Sequence, residues 1–93
     1  MIKHAFCYRA TDSGLYGDIW LSPEDGRHVK AGLIAGAETG HFAESFLKRT
    51  DLFELGEYED ETGIFTPYDK PVFVMSLSEV LPYVRHAVQS PEE

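Results

Sequence analysis

Between Ile2 and Ala10 the chain alternates, with Ile2, His4, Phe6 and Tyr8 on one side and Lys3, Ala5, Cys7 and Arg9 on the other. A period of two predicts a strand. Thr11, Asp12, Ser13 and Gly14 carry turn chemistry, and residues 15–22 predict a second strand with Leu15, Ile19 and Leu21 opposite Tyr16, Asp18 and Trp20.

Residues 23–26, Pro-Glu-Asp-Gly, fit a type I turn closed by a left-handed glycine. A third strand over residues 27–35 would then turn Val29, Ala31 and Leu33 inward. The alternative is a helix starting at Pro23 and capped by Ser22. Gly26, Gly32 and Gly36 would each cost such a helix about 1 kcal/mol, which favours the hairpin.

Thr39 predicts the N-cap of a short helix running to Thr50, with Phe42, Ala43, Phe46 and Leu47 forming its apolar stripe. Lys48 and Arg49 in its last turn suit the helix dipole. Residues 52–58 predict a strand, 59–63 an acidic turn, 64–66 further extended chain, and 67–71 another turn bounded by Pro67 and Pro71. Residues 72–75 form the most strand-like segment. Ser76 and Glu79 are spaced as a capping box, S-x-x-E. Leu77, Val80, Leu81, Val84 and Val88 then mark one helical face through about Gln89, with Pro82 either kinking it or tightening its first turns.

The expected fold class is α+β, in one domain spanning residues 1–93. The order βββ-α-ββ(β)-α implies one mostly antiparallel sheet of about five strands with two helices packed on one face. A chain of 93 residues with 43% hydrophobic content can bury one modest core. Its longest apolar or small run, residues 31–37, is too short for a membrane span, and Lys3, Arg9 and Asp12 interrupt any leader-like stretch. Cys7 is the single cysteine, read as a small buried hydrophobe. These features together point to the cytoplasm.

Charge changes the picture more than composition does. Net charge is −8. Residues 1–50 balance six acidic against six basic side chains, whereas residues 51–93 hold ten acidic side chains and only Lys70 and Arg85 as cations. Such a field opposes direct binding to nucleic acid or anionic membranes and favours basic partners.

The candidate chemistry is sparse. His4, His28, His41 and His86 lack metal-ligand spacing, and His41 is read as lying near a helix N-terminus. Gly32, Gly36 and Gly40 match neither a P-loop nor a dinucleotide fingerprint. Cys7 has no nucleophile signature, and there is no G-x-S-x-G elbow. No cofactor or metal is expected.

What remains is residues 51–61, eleven positions with six carboxylates and an aromatic anchor. Asp51, Glu54, Glu57, Tyr58, Glu59, Asp60 and Glu61, extended by Tyr68 and Asp69, form the candidate partner-binding surface. A solvated edge strand kept from aggregating by its charges would look similar. The functional expectation is a small non-enzymatic inhibitor that engages the basic surface of a nucleic-acid-binding protein or complex. A phage anti-defence or anti-CRISPR protein, acting as a nucleic-acid mimic, is its concrete form. The alternatives are an immunity protein neutralising a toxin, a small enzyme built on Glu, His and Tyr, and a homodimer paired through residues 72–75.

Overall fold

A computed structural model of the chain describes residues 1–84. Strand β1 (Ile2–Ala10) is followed by a short β2 (Trp20–Ser22), helix α1 (Gly26–Glu38) and the single-turn α2 (Glu44–Lys48). Strands β3 (Thr50–Glu59) and β4 (Ile64–Ser76) precede a 3-10 helix over Leu77–Tyr83. The strands form one antiparallel four-stranded sheet in the order β2-β1-β3-β4. The class is α+β, as the sequence implies, with four strands rather than five.

The missing strand is a helix. Residues 27–35, expected as the third strand, lie inside α1. Asp25, rather than Ser22, caps that helix by accepting from the His28 backbone N–H at 3.1 Å. Leu33 and Ala37, four apart, are its buried positions, and their burial outweighs the glycine penalties. Thr39 ends α1 instead of starting the next helix. Gly40 adopts φ +80°, and the His41 N–H donates to the Gly36 carbonyl. His41 therefore sits at a helix C-terminus, contrary to expectation.

Only residues 20–22 of the expected second strand pair over consecutive residues, with an isolated bridge between Arg9 and Tyr16. The expected turn at residues 67–71 is instead carried within β4. There four residues, 68–71, lie opposite the single residue Leu55. Pro67 and Pro71 are tolerated because β4 is an edge strand. The capping box leads into a 3-10 helix with Pro82 inside it. The rest of the expected last helix, with Val88 and Gln89, and His86 and Arg85 lie outside the described residues.

One face of the sheet holds the core. Phe6, Leu52 and Met75 join Leu33 and Ala37 of α1, Leu47 of α2, and Leu77, Val80 and Val84 in a single buried cluster. Tyr8, Trp20 and Phe42 pack against it. No residue from 55 to 73 belongs to this cluster, so the outer half of the β3–β4 hairpin carries its side chains beyond the core. Among the described residues no helix is long and apolar enough to cross a membrane.

Candidate functional site

The register of β3 decides where the acidic residues go. Gly56 pairs with Ala5, and Glu54 with Phe6, so Leu55 is an extra residue in β3. Such a bulge shifts the side-chain alternation by one. Thr50, Leu52 and Glu54 on its near side, and Glu57 and Glu59 on its far side, therefore share the face of His4, Phe6 and Tyr8. Asp51, Phe53, Gly56 and Tyr58 share the opposite face with Lys3, Ala5, Cys7 and Arg9.

The nine candidate residues consequently divide into three groups. Glu54 and Tyr68 form the first. Both His4 Nδ1, at 2.9 Å, and the Tyr68 hydroxyl, donating at 2.6 Å, reach the same oxygen, Glu54 Oε2. Glu54 keeps only 14% of its side chain exposed. The hydrogen bond to Glu54, followed by burial and then the charges of Glu54 and Glu57, pushes the Tyr68 hydroxyl up to about 12. Glu57 thus stands near this pair. Asp69 follows Tyr68 in the same excursion of β4 and is exposed.

The second group surrounds the ammonium of Met1. That group donates to Glu59 Oε1 at 2.9 Å and to Asp60 Oδ1 at 2.8 Å, with Glu61 Oε2 at 3.9 Å. Lys3 Nζ lies 3.9 Å from Asp60. The Glu61 backbone N–H and then the ammonium hold the Glu59 carboxyl below its ordinary value. The ammonium does the same for Asp60, and the hydrogen bonds to Asp60 and Glu59 raise the ammonium in return. The tip of the hairpin is therefore less negative than its three acidic residues suggest.

The third group is separate from the others. Asp51 pairs with Arg9 and Ser76 at the opposite end of β3, and Tyr58 pairs with Lys3 and Phe65. Both lie on the opposite face. The expected single patch is therefore an acidic strip of Glu54, Glu57 and Glu59 continued into Asp60 and Glu61, without Asp51 and without the Tyr58 anchor.

His4 is the participant that sequence reasoning missed. Its alternation with Phe6 and Tyr8 gave its face, but its partner depended on the bulge. Chemically, Glu54 fixes His4 and Tyr68 as a polar bracket joining β1, β3 and the β4 excursion. Tyr68 stays protonated at neutral pH. Burial raises the Cys7 thiol, which disfavours a reactive thiolate. Among the described residues no group of three His, Cys, Asp or Glu side chains could hold a metal ion. A shallow depression of about 440 Å³ lies between Tyr8, Leu15, Tyr16 and Phe46. Its lining is mainly apolar and aromatic, with Tyr8, Tyr16 and Thr50 as the hydroxyl-bearing residues. Comparison with family models, with curated proteins and with solved structures finds no match for this chain.

Proposed function

We propose that the protein is a small acidic binding protein that occupies a basic surface on a nucleic-acid-handling protein and blocks it. The observation carrying this reading is the run Glu57, Glu59, Asp60 and Glu61, which continues outward from the largely buried Glu54 along the β3–β4 hairpin and into its turn, beyond the core cluster. Glu57 and Glu59 are successive same-face positions ~7 Å apart, and Asp60 and Glu61 carry the negative charge on into the turn, partly offset by the Met1 ammonium. A protruding series of that kind suits a groove lined by lysine and arginine, where complementary charge raises the on-rate and selects the partner. Cytoplasmic action against a nuclease or a defence complex is the setting we infer for it. The anchor available beside the strip is Ile64, which pairs with Glu59 on the same face and is 61% exposed.

The test begins with capture from a host lysate at low and high salt, followed by titration of the captured protein with the purified chain. Glu57→Lys, Glu59→Lys and Glu61→Lys together should weaken binding at least about tenfold and flatten its salt dependence. Duplex DNA should compete with the wild-type chain. Unchanged affinity in the triple variant, or indifference to duplex DNA, would refute the reading.

A further inference from the structure

The sheet face turned away from the core carries a row of aromatic side chains. The Arg9 guanidinium carbon lies 5.5 Å from the centre of the Tyr16 ring. Tyr16 meets Phe53 edge-on at 5.4 Å, and Phe53 meets Phe73 edge-on at 5.7 Å. Leu21 of β2 and Phe65 of β4 extend this face on either side of Ala5 and Gly56. Ala5 and Cys7 at its centre are fully buried, yet Phe73, Tyr16, Leu21 and Phe65 remain 55%, 48%, 45% and 42% exposed. Among the described residues none of the core cluster lies here.

We propose that this face is the contact between two copies of the chain, packed sheet on sheet about a two-fold axis. The area fits. Large side chains of this size present roughly 150–250 Å² each, so at these exposures the three aromatics and Leu21 leave roughly 300–450 Å² of surface in water. A standard interface of about 800 Å² per partner is a little over half apolar, close to what this face supplies. Two such faces would stack about 10 Å apart.

The charges fit as well. Although the chain carries −8, its strand carboxylates Glu54, Glu57 and Glu59 point to the other face. This one holds Lys3, Arg9 and Asp51, two cations against one anion, so the chain's strong negative charge does not oppose contact here. Among the described residues Asp51 makes no ion pair, and Arg9 meets the Gly14 carbonyl and the Tyr16 ring. An isologous contact can place the Arg9 of one copy against the Asp51 of the other across the two-fold axis. A basic partner would meet two cations here, so the proposal concerns a different surface from the acidic strip.

The experiment is sedimentation equilibrium of the purified chain alone, from about 1 µM to about 500 µM. The mass should rise to that of two chains within this range. Phe73→Glu and, separately, Tyr16→Glu should each weaken association at least about 30-fold. Ala31→Glu, on the exposed side of α1, should leave it unchanged. Far-UV circular dichroism confirms that each variant folds, and the two face variants serve as checks on one another. A single-chain mass throughout would overturn the proposal. So would a dimer indifferent to both face variants, which would have formed through another surface. No partner protein is present, so failure of the basic-partner reading leaves this outcome unaffected.

Discussion

Replacing Gly56 with alanine tests the close packing of β3 against β4. A Cβ at this position would lie 2.4 Å from the Thr66 carbonyl oxygen and 2.7 Å from the Pro67 Cα, with the Phe65 ring at 3.1 Å. The first two are backbone atoms of the paired strand, so no rotamer change relieves the clash. The strands must separate beside the Leu55 bulge, where the ladder is already interrupted. Overpacking of this kind costs about 3 kcal/mol, against about 5–14 kcal/mol for a whole domain of this length. The melting temperature should fall by about 15 °C. Gly32 provides the opposite case. It lies within α1, exposed, with nothing within 4 Å of a built Cβ. Gly32→Ala removes only the helix penalty of glycine and should stabilise by about 1 kcal/mol. Urea unfolding followed by circular dichroism measures both, and an unchanged m-value shows that the two transitions are comparable. A Gly56→Ala variant within about 0.5 kcal/mol of wild type would show that β4 does not approach β3 as described.

Removing the Glu54 carboxylate by Glu54→Ala leaves His4 and Tyr68 without their shared acceptor and should cost about 1–3 kcal/mol, whereas Tyr68→Phe should cost about 1 kcal/mol. Ultraviolet titration of the tyrosines should show one hydroxyl half-ionised near 12 and returning toward its ordinary value in Glu54→Ala. Because the folded state holds that proton more tightly, the associated stability is complete below about pH 10 and is lost as pH rises toward 12. The contacts of the Met1 ammonium behave differently at the two pH extremes. Glu59 and Asp60 are depressed, so their contribution is present above about pH 4 and lost as pH falls through their folded values. The ammonium is raised, so its share is complete below its ordinary value of 8.0 and lost at higher pH. Acetylating the Met1 amine should lower the melting temperature at pH 6 and have less effect at pH 10. An effect of equal size at both pH values would show that the ion pairs contribute nothing.

The elements legible in the sequence were those with a single consistent period. The alternation of β1, the acidic turn closed by Gly63 at φ +75°, and the Ser76–Glu79 capping pair depend on neighbours within a few residues. Residues 27–35 were ambiguous because Val29, Ala31 and Leu33 satisfy a period of two, while Val29, Leu33 and Ala37 satisfy a helical repeat. On local propensity alone the glycines favour a strand. In the fold, Gly26 is the first helical residue, and Gly36 lies under the Phe42 ring, whose nearest atom would be 2.7 Å from a Cβ. That packing is tertiary and leaves no local signal. The prolines of β4 misled for a related reason. Pro67 and Pro71 read as a turn, but an edge strand with an excursion accommodates both.

The candidate site was legible as composition but not as geometry, and one residue explains the difference. In a regular strand Glu54 and Glu57, three apart, would lie on opposite faces. Without the bulge at Leu55, Glu57 and Glu59 would join Phe53 on the aromatic face and leave Glu54 alone beside His4. The inserted residue moves both carboxylates across, gathering the acidic strip on one face and clearing it from the other. It thereby separates the surface proposed to meet a basic partner from the surface proposed to meet a second copy. A bulge is a property of the pairing between strands, set by where β3 meets β1 and β4. The sequence of residues 51–61 contains the charges, but the register that sorts them comes from the strands on either side.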